Sequence, residues 1–241
     1  MGIENAILIG LSRQMALRNQ MDLVANNIAN MNTTAFKSEE LLFREFLVQT
    51  PEGDQMSYVE SYGSLRNLDE GPLRPTENPL DVAISGAGYF VVETEEGPQY
   101  TRNGHFRLND EGQLVTMDGD PIQDADGRVI EIADPGAEVT ISKDGTITAG
   151  NNEQFRLAVV SFKDEQALEA VESGRYKTDE APEPVENPQI LQGMLEGSNV
   201  KPIEQMVRMI DVQRAYESMQ KMMDTDHELQ ADAIDRLGAV A

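Results

Sequence analysis

Apolar residues recur every seven positions at both ends of the chain and every two positions between them. Near the start, Ile7, Gln14, Met21 and Ile28 form one row, and Gly10, Leu17, Val24 and Met31 form a second. This is the spacing of a helix that presents one seam to a partner helix. A helix from about Ile3 to Met31 would be roughly 43 Å long at 1.5 Å per residue. Near the end, Met209, Tyr216, Met223, Gln230 and Leu237 form one row, and Val212, Met219, Asp226 and Ala233 the other. The stretch "SNVKPIEQM" predicts where this second helix begins. Ser198 or Asn199 serves as its cap, and Pro202 sits in the first turn, where a missing N–H is harmless. It would run roughly 55 Å.

Between the ends the period changes to two. From "DVAISGAGYFVV" onward, short β-branched or aromatic runs alternate with the turn pairs Glu96-Gly97, Glu111-Gly112, Asp118-Gly119, Asp126-Gly127 and Asp144-Gly145. "FRLAVVSF" (155–162) reads as a further strand, and "DEAPEPVENP" (179–188) as a Pro-rich acidic loop. The predicted class is α+β: paired N- and C-terminal helices in a coiled-coil-like inner domain, with a central antiparallel, mostly β domain. The expected divisions are 1–35 for the first helix, 36–78 for a connecting segment, 79–198 for the β domain and 199–241 for the second helix. The connector is expected to be mixed: "FKSEELLFREFL" is able to extend a helix, and "GPLRPTENPL" is extended.

Composition sharpens this plan. Residues 51–198 hold 16 of the 19 glycines and 10 of the 11 prolines, with 10 basic and 30 acidic residues. The two ends together carry 9 basic and 13 acidic residues, so the helices are nearly neutral within a chain of net charge −24. That excess charge argues against nucleic acid or an anionic membrane as a partner. Cysteine is absent, which removes disulfides and thiolate metal sites. "MGIENAILIGLSRQ" lacks the pattern of a secretory signal, because its first positive charge, Arg13, follows an apolar run of only six residues. Gly2 is not in a myristoylation context, and no run approaches the length of a membrane span, so no direct membrane insertion is expected.

Candidate chemistry is sparse. His105 and His227 stand apart without metal-ligand spacing, and no nucleophile or phosphate-loop motif is present. Asp118, Asp120, Asp124 and Asp126 fail the calcium-loop pattern and read as hairpin turns. "SGAGYF" (85–90) leads into a strand rather than a helix, so it reads as close backbone packing or a bulge. No enzyme, cofactor or metal site is expected.

Assembly fits better. Ile3, Leu8, Leu11, Met15, Ile210 and Met222 lie off the helix rows, and a two-helix hairpin would leave these flanks uncovered. Copies that bury them head to tail would form a ring or an open helical polymer, with the acidic middle zone kept in water. "VANNIANMNTTAFK" (24–37) adds a puzzle, because Asn26, Asn27, Asn30 and Asn32 crowd a helix end although asparagine disfavours helices. Asn26, Asn27 and Asn30 are expected on flanks that meet neighbouring subunits, while Asn32, Thr33 and Thr34 end the helix.

Three blocks, "LVANNIANMNTTAFK", "TENPLDVAISGAGYFVV…YTRNGHF…GQLVT" and "GMLEGSNVKPIEQMVRMIDVQRAYESMQKMM", resemble the flagellar rod/hook family, the axial proteins of the bacterial flagellar basal body. The resemblance covers well over half the chain. It implies a structural subunit whose terminal helices pair and assemble into a hollow helical tube. Its partners would be copies of itself, other rod proteins and the flagellar type III export apparatus. Its place would be the periplasmic rod, reached without a cleaved leader. The length and opening resemble a proximal-rod member; a distal-rod member, or a non-flagellar acidic coiled-coil adaptor with a β head, is the alternative.

The family's motif residues fall on Ala25, Asn26, Asn27, Ala29, Asn30, Thr33, Thr34, Phe36 and Lys37. At the other end they fall on Glu196, Ser198, Asn199, Val200, Met206, Ile210, Gln213, Arg214, Tyr216 and Glu217. Joining these to the helix rows gives an expected assembly interface of Ile7, Leu17, Met21, Val24, Asn26, Asn27, Ile28, Asn30, Thr33 and Phe36, with Asn199, Met206, Ile210, Gln213, Arg214, Tyr216, Met219 and Met223. One departure stands out: the family usually has glycine where this chain has Ala35. A left-handed turn is therefore expected at Asn32 instead.

Overall fold

The computed structural model describes residues 3–49, 55–134, 136–150 and 153–238. They divide into two compact units: one built from 1–31, 39–66 and 200–241, the other from 32–38 and 67–199.

In the first unit, α1 (Ile3–Ala29) packs against α2 (Pro202–Gly238) and against a two-stranded antiparallel hairpin, β1 (Glu39–Gln49) with β2 (Gln55–Arg66). The stretch offered as a helical extension is therefore strand. Its pairing runs from Glu39↔Arg66 to Gln49↔Gln55 and is broken by a bulge between Leu42 and Phe43. Gln14 Nε2 donates to the Tyr216 hydroxyl (3.1 Å), and a Cβ at Gly10 would lie 3.4 Å from Met223 Cγ and Sδ. Lower numbers on α1 thus meet higher numbers on α2, so the helices are antiparallel. Val24 is fully buried and Val212 nearly so, while Leu17, Met21, Ile28, Met209, Met219 and Asp226 are half-buried. These residues come from the predicted rows. The side chains of Ile7, Gln230, Ala233 and Leu237 lie outside the described part.

The second unit is almost entirely β. Its strands are β3 (Leu73–Pro75), β4 (Val82–Ser85), β5 (Tyr89–Thr94), β6 (Gly97–Thr101), β7 (Phe106–Leu108), β8 (Leu114–Thr116), β9 (Val139–Ile141), β10 (Thr146–Ala149), β11 (Glu153–Arg156), β12 (Val159–Ser161), β13 (Glu169–Ala170), β14 (Arg175–Lys177), β15 (Glu183–Pro184), β16 (Gln189–Gln192) and β17 (Met194–Glu196). Six form an antiparallel sheet in the order β13-β14-β6-β5-β12-β15, and β9, β10 and β11 form a smaller one.

β5 lies inside the larger sheet, and successive side chains of a strand point to opposite faces. Phe90 and Val92 therefore enter one core with Val82, Ile84, Phe106, Ile122 and Ile147. Tyr89 and Val91 enter another with Tyr100, Phe162 and Tyr176. A strand buried on both faces needs an unbroken apolar run, which "YFVV" supplies. The acidic loop contributes only the two-residue edge strand β15, where Pro184 is tolerated because an edge does not need every N–H.

All five predicted turn glycines have positive φ. "SGAGYF" packs closely as expected: Gly88 has φ 142°, and a Cβ there would come within 2.7 Å of Val159 Cγ1. Ala35 corrects the turn expected at Asn32. Ala35 itself is left-handed at φ 58°, while Asn32 is not among the positive-φ residues. The Ala35 N–H donates to the Glu196 carbonyl (2.8 Å), a tie that fixes the backbone there despite the missing glycine.

Candidate assembly surface on the paired helices

The first unit separates the expected interface residues into two groups. Val24 and Asn27 are consumed inside the subunit. Asn27 is 1% exposed; its Nδ2 donates to the Glu39 carbonyl (2.9 Å) and its Oδ1 accepts the Glu39 N–H (3.1 Å). This corrects the expectation that Asn27 occupies a solvent-facing flank, because the first residue of the hairpin covers it. Asn30 Nδ2 donates to the Asn26 carbonyl (3.0 Å), which also accepts the Asn30 backbone N–H (3.1 Å). Asn26 and Thr33 are exposed.

The second group, Met206, Ile210, Gln213 and Arg214, faces outward, beside apolar residues outside the expected interface. On α1, Leu8, Leu11 and Met15 are 45–59% exposed and fall on one stripe. On α2, Ile203, Met206, Val207 and Ile210 are 47–79% exposed and form another stripe across the first turns. Beyond it lie the exposed Gln213 and Arg214, with Gln213 Nε2 donating to Glu217 Oε1 (3.2 Å). Beside this stripe a groove is lined by Leu17, Gln20, Val207, Val212 and Ala215, with Glu40, Glu204, Arg208 and Asp211 at its polar margin. Arg208 Nη1 donates to Glu40 Oε1 (3.0 Å), and Asn19 Nδ2 to Ser61 Oγ (3.0 Å), so polar links join both helices to the hairpin. Tyr216 and Met223 are half-buried at the seam rather than outside it.

The remaining motif residues lie in the second unit, around a buried carboxylate. Glu196 accepts hydrogen bonds from Lys37 Nζ (2.7 Å), Arg102 Nε (2.8 Å) and the Gly71 N–H (3.0 Å). Arg102 also donates to the carbonyls of Gly86 and Gly88, and Lys37 to that of Asp69. The glycine loop therefore holds a guanidinium with its carbonyls. Burial alone would raise the Glu196 carboxyl, but the Arg102 charge, the Lys37 and Gly71 hydrogen bonds and the Lys37 charge hold it below the ordinary range. Burial lowers the Lys37 ammonium against the upward pull of Glu196.

Asn199 gathers the same region. Its Oδ1 accepts the Ser38 N–H (2.7 Å), and its Nδ2 donates to the carbonyls of Asn67 (3.0 Å) and Asp69 (2.9 Å). Phe36, half-buried, accepts the Asn199 N–H on its carbonyl (3.2 Å). Arg102 is the residue that sequence reasoning missed; only its place inside "YTRNGHF" marked it.

The acidic turns serve the backbone. Asp124 is buried and accepts the N–H groups of Asp126 and Arg128, while Asp120 pairs with Arg175. His105 Nδ1 lies 2.7 Å from the buried Asp81 carboxylate, and His227 is exposed on α2. Among the described residues, no group of three or more potential metal ligands converges, and no helix is long and apolar enough to cross a membrane.

Two long antiparallel helices drawn from opposite ends of the chain, with exposed apolar stripes, are the architecture of a subunit that associates through its helices. Comparison with known proteins places it. Residues 7–37 match the family model for flagella basal body rod proteins, 83–149 the D1 domain of flagellar hook proteins FlgE/F/G, and 191–236 the C-terminal region of flagellar basal body rod FlgEFG proteins. The chain is 42% identical to flagellar basal-body rod protein FlgF of Caulobacter vibrioides, over 99% of this chain and all of that one. It is 31% identical to FlgF of Rhizobium meliloti, over 98% and 99%. Rod protein FlgG of Agrobacterium fabrum is 31% identical over 93% and 96%. The chain belongs to the flagellar basal-body rod protein family and is a FlgF-like structural subunit of the rod.

Proposed function

We propose that this subunit builds the proximal segment of a hollow helical drive shaft by packing its terminal helices against those of neighbouring subunits. The observation that carries this is the pair of apolar stripes, Leu8, Leu11 and Met15 on α1 and Ile203, Met206, Val207 and Ile210 on α2. Contiguous apolar surface of this kind marks an interaction site, and rod-family membership makes other axial proteins its natural neighbours. On this reading Asn26, Asn30 and Thr33 add polar groups at the crowded helix end. The subunit passes unfolded through the flagellar type III export apparatus, which suits a chain without cysteine, and joins the rod in the periplasm.

Proximal placement draws on the whole-length likeness to FlgF proteins, whereas the FlgG likeness favours a distal position. A density map of the isolated basal body, with this chain located along the axis, tests the assignment. Density for the chain beside the membrane-proximal end is the expected result. Density confined to the distal rod would overturn it.

A further inference from the structure

The two exposed stripes lie at opposite ends of the antiparallel pair. Gln14 is level with Tyr216. Val207, nine residues before Tyr216, is therefore level with about Leu23 of α1. That places it roughly 18 Å along the axis from Leu11, at 1.5 Å per residue. Within one subunit the stripes cannot cover each other.

Their spacings nevertheless match. Leu8, Leu11 and Met15 are separated by three and four residues; Ile203, Val207 and Ile210 by four and three. Run antiparallel, Leu8 meets Ile210, Leu11 meets Val207 and Met15 meets Ile203.

The charges match as well. Residues 5–21 contain Arg13 and Arg18 and no acidic residue, although the chain has 43 acidic and 19 basic residues. The facing stretch of α2 carries Glu204 and Asp211; its Arg208 pairs with Glu40 (3.0 Å), and Glu204 Oε1 pairs with the exposed Lys201 (3.3 Å), an exchangeable surface pair. Arg18 is exposed on the α1 stripe, and the antiparallel register brings it within about a turn of Glu204. Complementary charges of this kind set register and orientation more than affinity.

We propose that the α1 stripe of one copy docks on the α2 stripe of a second copy, displaced roughly 18 Å along the helix axis. This head-to-tail contact rests on the rod reading above and adds its register and direction. It is heterologous, because each copy offers two different patches, so it builds a ring or an open helical polymer rather than an isolated pair. Arg18 and Glu204 set its polarity, and the apolar residues supply its area.

Because the chain has no cysteine, pairs of introduced thiols report this contact cleanly. Leu11→Cys with Val207→Cys is the first pair and Met15→Cys with Ile203→Cys the second, all at exposed positions. A bridge within one subunit is excluded, since it needs Cα atoms within about 7 Å. Oxidised basal bodies of each double variant should yield a ladder of linked copies, and each single variant none of this chain linked to itself. A photoreactive benzoylphenylalanine at Val207 should likewise capture a second copy of this chain. The proposal falls if the chain is present in basal bodies but neither double variant forms a ladder. It also falls if a single variant self-links, or if the photoproduct contains only a different rod protein. Absence of the unaltered chain from basal bodies would instead overturn the rod reading, and this contact with it.

Discussion

The Asn27 side chain pairs with the backbone of Glu39 through both of its amide atoms, at 2.9 and 3.1 Å. An asparagine amide presents a donor and an acceptor side by side, which imitates the edge of a strand. The hairpin therefore starts from a helix side chain, and the asparagine that looked misplaced in a helix joins two elements. Replacing Asn27 by Ala leaves the Glu39 N–H and carbonyl without these partners. We expect a loss of about 2–3 kcal/mol, the penalty for polar groups left unpaired away from water. Chemical unfolding of the whole chain measures it, and loss of exchange protection at the Glu39 amide localises it. An unchanged Glu39 amide would show that the pairing is not formed in solution.

Glu196→Gln is expected to cost more. The variant keeps the shape and removes the carboxylate that bonds both Lys37 and Arg102, whose side chains are 2% and 5% exposed. Breaking a buried pair from one side costs about 3–5 kcal/mol, to be read as a lowered unfolding midpoint.

Acid should have a related effect. The folded-state pKa of Glu196 lies below its ordinary value of 4.5, so its contribution is present above that pH. It is lost as pH falls from there through the depressed value, when the unfolded chain binds the proton first. Unfolding free energy measured between neutrality and pH 3 should drop in this window, and the drop should shrink in Glu196→Gln.

Ala35→Gly should stabilise the chain. A left-handed alanine is strained by about 1–2 kcal/mol, and restoring glycine adds back unfolded-state entropy worth roughly 0.4–1 kcal/mol. The net expectation is a gain of up to about 1 kcal/mol, measured by thermal or chemical unfolding. A loss would mean that the Ala35 methyl, buried at 8% exposure, contributes more packing than the strain removes.

The helical rows were legible because a seam repeats over many residues, and the turn glycines because positive φ leaves few alternatives. The hairpin was hidden for a physical reason. In "EELLFREFLVQ", Leu42 and Phe46, and Phe43 and Leu47, stand four apart and imitate one helical face. The bulge between Leu42 and Phe43 breaks the two-residue alternation that marks a strand. The hairpin in turn concealed what covers Asn27. The Lys37, Arg102 and Glu196 cluster was illegible for another reason: its members are separated by 65 and 94 residues, and nothing local to any of them signals the others.

Met219→Lys tests the seam itself. Met219 is half-buried on α2, in the Val212 row and about one turn beyond Tyr216, which meets Gln14. Lysine would trade apolar contact for a charge whose stem must bend away to keep the ammonium wet. We expect the helix pair to weaken by about 1–2 kcal/mol, since Met219 is only partly buried, and rod assembly and motility to fail. Normal motility would place the functional seam elsewhere.

The helices should also be the least protected part of the free subunit. Of the side chains described on α1, only Ala16, Val24 and Asn27 are buried, and on α2 only Gln205 and Val212; the β unit encloses two apolar clusters. Long helices with so little burial are marginal without partners, because most helical stability in proteins comes from packing an apolar face. In the isolated subunit, amides of 5–20 and 215–235, away from the buried Val24, Asn27, Gln205 and Val212, should exchange rapidly, while those of β5, β8 and β12 remain slow. In assembled basal bodies the same helical amides should become protected as the exposed stripes are covered. Strong protection across both helices in the free subunit would show that the pair is stable alone, and that assembly adds contacts without ordering the chain.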